Sequence, residues 1–253
     1  MATGGDSPPL HHQGSVEPAT APRRAIPLAV AALAFGVFAA IAAAVSDGLT
    51  QGADAWGLLA FRNPVDLAHP LGPAWLQASG RDFTGLGSNG VMAALVLAGS
   101  GLLAFARRRP AALFLATSFL GALALDTAIK HWVGRPRPEL VPHAARVFTA
   151  SFPSGHATVS SAACLAAALL LLRARTEPAY RMFALVVTVA FVAVIGASRL
   201  YLGLHWPTDV VAGWALGVSW TSVCWAIIMS RQPSGNFGGA RERRNAGKQV
   251  GGG

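Results

Sequence analysis

The sequence predicts an all-α integral membrane protein, folded as a six-helix bundle. Hydrophobic residues make up 53% of the 253 residues and charged residues 12%, which is about half the charged share of an ordinary soluble domain. Six long apolar runs follow one another, and none alternates in the manner of a barrel strand. The basic residues are concentrated in every second connection between these runs, as is typical of multi-pass proteins.

The composition excludes three other classes of protein. A mean hydropathy of +0.46 is too high for a disordered chain. Cys164 and Cys224 each lie inside an apolar run, where a thiol behaves as a small hydrophobic group, so a disulfide scaffold is excluded. The net charge of +9 is better explained by membrane topology than by nucleic-acid binding. We therefore expect the bilayer, and no nucleic acid, as a partner.

The chain is predicted to consist of a membrane domain between two tails. Residues 1–24 lack periodicity and are rich in Pro, Gly, Ser and Ala, which predicts a disordered tail, and residues 232–253 predict a disordered basic tail. The membrane domain, residues 25–231, contains predicted spans at 26–45, 91–106, 111–129, 157–172, 182–197 and 210–229. Three runs are long enough to cross a bilayer as helices, and the others become so with flanking Ser, Thr or Gly residues. The first run also resembles a signal peptide, but its length favours an uncleaved helix.

The arginines predict which connections lie on each side of the membrane. With a cytoplasmic N-terminus, thirteen of the twenty basic residues fall in inside segments and seven fall outside. Both tails are then cytoplasmic, in what we predict to be a bacterial inner membrane. The outside segment 46–89 carries Trp56 and Trp75 among Gly and Pro residues and is expected to lie at the bilayer surface.

Ionisable residues are concentrated at the outside ends of predicted spans three to six. Charges at membrane depth are costly, and they are therefore usually paired or functional. Cations outnumber carboxylates here, and Arg and Lys are well suited to binding phosphate. The residues are Lys130, Arg137, Arg146, His156, Arg199, His205 and Asp209.

Two of these helix ends predict a geometry. Ser154 and Gly155 stand directly before the fourth run, where the free backbone N–H groups of a helix N-terminus form a cradle for phosphate. Pro207 suits the first helical position of the sixth run, which puts Asp209 in the first turn and His205 just outside the helix. The carboxylate can then reach back to the imidazole, so that the other ring nitrogen is presented as a nucleophile.

Together these residues resemble the three-part signature of the type 2 phosphatidic acid phosphatase superfamily, the membrane lipid phosphate phosphatases. All eleven residues that the signature specifies agree in order and in spacing. The signature lies within residues 130–209, and the six-span layout extends the resemblance over the membrane domain. Its three parts read Lys130-x6-Arg137-Pro138, Pro153-Ser154-Gly155-His156 and Ser198-Arg199-x5-His205-x3-Asp209.

The resemblance implies a role for each residue. His205 would attack phosphorus and form a phosphohistidine, Asp209 would orient the imidazole, and His156 would protonate the leaving oxygen and then activate water. No metal or other cofactor is implied, because cations supply the electrostatic stabilisation. The phosphate ligands would be Lys130, Arg137, Arg199, Ser154 and the Gly155 N–H, with Arg135 and Ser198 as further candidates. Asp126 is expected to neutralise Lys130 as an i, i+4 pair.

The function implied is a metal-independent lipid phosphatase, with undecaprenyl pyrophosphate as the favoured substrate because the compact layout resembles bacterial enzymes of that class. Phosphatidic acid, phosphatidylglycerol phosphate and lipid A phosphate remain alternatives, since selectivity for the headgroup would reside in segments 46–89 and 139–152. Two further classes remain open: a phosphotransferase that uses the same phosphohistidine, and a non-enzymatic lipid-binding protein. The intact catalytic set argues against the latter.

Overall fold

Eight α-helices form the protein in a computed structural model that describes residues 24–141, 149–174 and 177–231. The fold is all-α, as predicted, and the one extended pairing in these ranges is an isolated bridge between Arg62 and Pro70. Arg146 and the two predicted tails, except Arg24, lie outside the described residues. The helices are α1 (Ala25–Ser46), α2 (Gln51–Leu59), α3 (Ala74–Leu86), α4 (Asn89–Phe105), α5 (Arg109–Val133), α6 (Gly155–Ala174), α7 (Pro178–Tyr201) and α8 (Pro207–Arg231).

Five helices, α1, α5, α6, α7 and α8, are each long and apolar enough to cross a membrane. The predicted second span lies in α4, which has 17 residues and qualifies only together with α3, from which it is bent by 48°. Six spans are reached when this bent pair is taken as one. Large apolar side chains such as Leu33, Leu97 and Phe105 are exposed on the outside of the bundle, where lipid would cover them. The chain is a multi-pass integral membrane protein.

At one end of the bundle, a glycine and a proline determine where helices end and begin. α5 is terminated by Gly134, whose φ of +61° gives the left-handed conformation that favours glycine at a helix C-terminus. Pro207 is the first residue of α8, where its missing N–H leaves no helical hydrogen bond unmade. Asp209 Oδ2 accepts the backbone N–H of Trp206 at 2.9 Å and so caps α8.

Two short helices occupy the segment between α1 and α4. α2 packs against the start of α8, and a Cβ on Gly57 would lie only 2.8 Å from Pro207 Cγ. α3 packs along α7, where a Cβ on Gly80 would lie 3.1 Å from the Tyr201 ring. The segment is therefore tied to the ends of the longer helices. Its position at the bilayer surface stays a prediction.

α6 and α8 form the centre of the bundle, and α8 also packs on α1 and α5. The two central helices approach closely. A Cβ on Gly217 would lie only 2.5 Å from the carbonyl oxygen of Thr158. At their N-termini the backbone N–H of Ser154 donates to the carbonyl oxygen of Asp209 at 2.9 Å. This contact joins two parts of the signature that are 55 positions apart in the sequence.

Candidate active site

A cavity of about 630 Å³ opens where α5 and α7 end and where α6 and α8 begin. α3 and the residues around Thr149 complete its wall. Six of the residues predicted from the sequence line the cavity, namely Lys130, Arg137, Gly155, His156, Arg199 and His205. The first turns and last turns of four separate helices therefore supply one concave site, as the signature predicts.

The side chain of His205 is buried and lies between an arginine and a carboxylate. Arg137 Nη1 is 3.2 Å from His205 Nε2, and Asp209 Oδ2 is 3.4 Å from His205 Nδ1. Because a guanidinium can only donate hydrogen bonds, this geometry gives the lone pair to Nε2 and the proton to Nδ1. Burial lowers the pKa of His205 to about 3, with Arg199 and Arg137 acting in the same direction against Asp209. The imidazole is therefore neutral at physiological pH.

The carboxylate of Asp209 is fully buried and has a partner for each oxygen. Oδ2 accepts the Trp206 N–H and the Ser151 hydroxyl, and Oδ1 accepts Arg135 Nη1 at 2.6 Å. Several donors on one carboxylate favour its ionised form and fix its orientation. Asp209 thus stands behind His205, on the side away from the cavity lining.

His156 lies in the first turn of α6 and lines the same cavity as His205. Arg199 Nη1 is 3.5 Å from His156 Nε2. The Arg199 guanidinium is buried, and it also donates to Thr84 Oγ1 of α3 at 2.7 Å. Two imidazoles, each in contact with a different arginine, therefore face one cavity.

The remaining cations are held in place by backbone and side-chain acceptors. Lys130 Nζ donates to Asp126 Oδ1 at 2.6 Å and to the carbonyl oxygen of Pro153. This is the i, i+4 pair that the sequence predicts. Arg137 donates to the carbonyl oxygens of Thr149 and Leu204 at 2.9 and 2.6 Å. Burial lowers the pKa of the Arg137 guanidinium below its ordinary range.

The charge in the cavity is strongly positive. Among the described residues that line it, the cations are Arg81, Lys130, Arg137 and Arg199, and the one carboxylate is Asp126. The N-terminus of α6, which begins at Gly155, adds free N–H groups to the same wall. The arrangement can bind an anion with several oxygens and place it against two histidines.

Ser154 lies beside this wall with a fully buried hydroxyl. Its Oγ has no hydrogen-bond partner among the residues that the structure describes. A buried hydroxyl without a partner is unfavourable, and one next to an anion site is suited to binding the ligand. Neither Ser154 nor Ser198 belongs to the cavity lining. Ser198 donates to the Ile195 carbonyl oxygen at 2.6 Å within α7.

Arg135 lies behind the site and does not line the cavity. Its guanidinium donates to Asp209 Oδ1 and Asp54 Oδ2, each at 2.6 Å, and to Thr208 Oγ1 at 2.8 Å. The sequence offers Arg135 as a candidate phosphate ligand, but the structure engages it with carboxylates. Asp54 and Ser151 are missed by the sequence analysis, because neither belongs to the signature and their partners lie far away in the chain.

The described part of the chain offers no grouping of three or more His, Cys, Asp or Glu side chains that could hold a metal ion. Asp209 is instead bonded to Arg135, and Asp126 to Lys130. The chemistry of this donor set therefore suits an anion held by cations. Metal independence of the reaction stays a prediction.

Fold and site together define an integral membrane protein whose cavity combines two histidines with a clamp of cations. A model of the PAP2 superfamily matches residues 111–233. A lipid A 1-phosphatase of Rhizobium etli is 31% identical over an alignment of 211 residues that covers 72% of this chain and 83% of that protein. An undecaprenyl-diphosphatase of Sulfolobus acidocaldarius is 34% identical over an alignment of 137 residues that covers 52% of this chain and 62% of that protein. The chain belongs to the PAP2 superfamily, which confirms the resemblance carried by the signature.

A solved structure has the same fold. The crystal structure of a transmembrane PAP2-type phosphatidylglycerolphosphate phosphatase from Bacillus subtilis matches with a TM-score of 0.71. The match covers 81% of this chain and 98% of that chain at 23% sequence identity. The all-α membrane architecture is therefore shared with that protein.

Proposed function

We propose that the protein is a metal-independent lipid phosphatase that hydrolyses a lipid phosphomonoester or diphosphate through a phosphohistidine. Membership of the PAP2 superfamily supports a phosphoric ester hydrolase, because the relatives compared above are named phosphatases. The surplus of cations in the cavity supports an anionic substrate. The position of the cavity at the ends of membrane-spanning helices supports a lipid.

The proposed reaction has two steps. In the first, His205 Nε2 attacks phosphorus, the bond from phosphorus to the leaving oxygen breaks, and His156 gives a proton to that oxygen. In the second, His156 takes a proton from water, the water oxygen attacks phosphorus, and the P–N bond breaks to release phosphate. Asp209 stabilises the positive charge that develops on the imidazole. The cations of the cavity stabilise the charge on the phosphoryl oxygens in both steps.

The environment of His205 is the observation that carries this proposal. Its Nδ1 faces a buried carboxylate, and its Nε2 faces a cation in a cavity that can bind phosphate. A neutral imidazole held in one tautomer, with its lone pair at the site of an anion, has the arrangement that nucleophilic attack on phosphorus needs.

Phosphate release by the purified protein and by two variants tests the mechanism. His205→Ala should reduce the release of phosphate by a factor of about 10⁴ or more, because the nucleophile is lost. Asp209→Asn should cost less, because the imidazole remains. Excess EDTA should leave the activity unchanged, and vanadate should inhibit as a phosphate mimic. Near-normal release from His205→Ala, or loss on chelation that magnesium or zinc restores, would contradict the mechanism.

Undecaprenyl diphosphate is our proposed substrate. The Sulfolobus acidocaldarius relative is named for this activity, and Arg81 in the cavity wall adds a cation that a second phosphate group requires. The competing substrates are phosphatidic acid and the lipids named for the other relatives. A panel of these lipids in detergent should give the highest kcat/KM with undecaprenyl diphosphate. A higher value with another lipid would replace this choice, and label transferred to an acceptor lipid would make the protein a phosphotransferase.

We further propose that the cavity faces the exterior or periplasm and that both termini are cytoplasmic in a bacterial inner membrane. The distribution of basic residues supports this orientation, because thirteen of twenty then lie on the cytoplasmic side. Several of the seven others line the cavity, where the binding of phosphate accounts for them. The orientation matters because it fixes the leaflet from which the enzyme takes its lipid.

A further inference from the structure

A buried group of charges lies directly behind the catalytic pair. Asp54 of α2 is fully buried, and its carboxylate accepts Arg135 Nη2 at 2.6 Å. The same guanidinium donates through Nη1 to Asp209 at 2.6 Å. Arg135 therefore bridges two carboxylates, one from the segment between α1 and α4 and one from the first turn of α8.

Asp54 also holds the start of α8. It accepts the backbone N–H of Thr208 at 3.0 Å, and the Thr208 hydroxyl lies 2.9 and 2.8 Å from its two oxygens. An acidic side chain that binds a free N–H in the first turn of a helix is an N-terminal cap supplied by another part of the chain. α2 approaches closely here because Gly57 lies against Pro207. Asp54 thus holds both Thr208, which precedes Asp209 in the chain, and Arg135, which is bound to Asp209.

The formal charges of this group show what Asp54, the second carboxylate, adds to the pair of Arg135 and Asp209. Arg135 alone would neutralise Asp209, and a neutralised carboxylate gives little support to a cationic imidazole. With Asp54 present, the group of Asp54, Arg135 and Asp209 keeps one net negative charge. Burial makes this difference matter, because charges interact more strongly where water is excluded.

We propose that Asp54 is a positioning residue for catalysis, which shares Arg135 with Asp209 and so keeps one negative charge available to His205. Asp54 does not line the cavity and therefore acts through Arg135, Thr208 and Asp209. The inference rests on the proposed function, because it presupposes that His205 gains positive charge during turnover.

The test compares four purified proteins in detergent, on the lipid of the substrate panel that gives the wild type its highest kcat/KM. They are the wild type, Asp54→Asn, Arg135→Gln and the double variant. Asp54→Asn leaves the group with no net charge, so kcat should fall about tenfold or more, as for other supporting residues behind an active site. KM should change by less than about twofold, because the cavity is untouched. Arg135→Gln should also lower kcat, because it leaves the Asp54 carboxylate buried without its cation.

The double variant separates this role from a merely structural one. It removes one negative and one positive charge together, so the group again carries one net negative charge. Its kcat should therefore exceed that of either single variant, whereas two losses of packing would add. Asp47→Asn is the matched control, since Asp47 is an exposed carboxylate earlier in the same segment, and it should behave as the wild type.

Each outcome decides the proposal. A wild-type kcat for Asp54→Asn, or a double variant that is not faster than both single variants, overturns the inference and leaves the phosphatase function standing. A wild-type protein that releases no phosphate overturns both. If Asp54→Asn does not fold, the double variant is compared with Asp209→Asn. A faster double variant supports the proposal, because it still has the Asp209 charge, and an equal or slower one overturns it.

Discussion

The hydroxyl of Ser154 bears on the proposed phosphate site at the scale of a single residue. It is fully buried beside the N-terminus of α6 and lacks a partner in the described part of the chain. Such a group costs about 1–3 kcal/mol of stability when nothing satisfies it. A bound phosphoryl oxygen would satisfy it, so its cost in the empty site becomes binding energy when the ligand is present.

Ser154→Ala should therefore separate activity from stability. We expect kcat/KM to fall by a factor of about 10 to 10³, the range for loss of one donor to a charged transition state. The melting temperature in detergent should stay constant or rise, because an unsatisfied buried group is removed. Ser160→Ala in α6 is the control and should leave kcat/KM unchanged. Within the described residues, the Ser160 hydroxyl donates to the carbonyl oxygen of Ala157 in the same helix. A variant that is fully active but less stable would contradict the assignment of Ser154.

The low pKa of His205 predicts a pH dependence of stability. Its ordinary value of 6.5 falls to about 3 in the folded protein, chiefly through burial. Between these values the unfolded chain binds a proton that the folded protein does not, so stability decreases as the pH falls from 6.5 towards 3. His205→Gln removes this contribution. The melting temperature should therefore drop less between pH 7 and pH 4.5 in the variant than in the wild type, and an equal drop would contradict the low pKa.

Residues that carry the signature were predictable, and those that support them were not. Lys130, His156 and Arg199 follow a local spacing, and the structure brings them to one cavity. Asp54 has no such pattern, because its partner Thr208 lies 154 positions later and meets it only through the packing of α2 on α8. The sequence offers Arg135 as a candidate phosphate ligand, and its two carboxylate partners could be identified only from the fold.

At the scale of elements, the close packing of α6 and α8 holds the first turns of both helices together. Gly217→Ala should lower the free energy of unfolding by about 1–3 kcal/mol, because the added methyl group meets the backbone of Thr158. Activity should fall with it, since His156 and Asp209 lie on the two helices that are pushed apart. Melting temperature and phosphate release in detergent measure the two effects.

Gly101→Ala in α4 is the matched control for this packing. Apart from the adjoining backbone of α4, no atom of the described residues lies within 4 Å of the position that its Cβ would occupy. Alanine is favoured over glycine in a helix by about 1 kcal/mol, so this variant should be at least as stable as the wild type. A Gly217→Ala protein as stable as Gly101→Ala would show that the helices can separate without cost.

Long apolar helices were predictable as elements, and the bent pair was not. Length and hydropathy identified α1, α5, α6, α7 and α8, because the bilayer demands both. α4 has 17 residues, which is the short limit for a spanning helix. α3 precedes it at a bend of 48°, and the length of an apolar run does not predict such a bend. α3 also mixes Arg81 and Asp82 with apolar residues, so no apolar run marks it as a helix.

At the scale of the whole molecule, the proposed orientation predicts the labelling of two single cysteines in a background without Cys164 and Cys224. Val65 lies in the exposed connection between α2 and α3, and Glu177 lies directly before α7. In intact cells, or in spheroplasts where an outer membrane intervenes, an impermeant thiol reagent should label Val65→Cys and spare Glu177→Cys. In the proposed orientation, positive charge retains the connections at residues 107–109 and 173–181 in the cytoplasm, which is the physical reason for the expected difference.

Permeabilised cells provide the control, because both cysteines should then react. The reverse pattern in intact cells would put the cavity in the cytoplasm and would exclude a lipid of the outer leaflet as substrate. Each cysteine variant must also keep its phosphatase activity, so that the labelled protein is the folded one.

The position of the proposed catalytic pair on the chain has a consequence for biosynthesis. His205 and Asp209 lie at the start of α8, the last described helix, which packs on α1 as well as on α6. A nascent chain that has inserted α1 to α7 possesses the cations of the cavity but has neither the proposed nucleophile nor its carboxylate. Under the proposed mechanism, turnover therefore begins only when α8 has left the translocon and packed on α1.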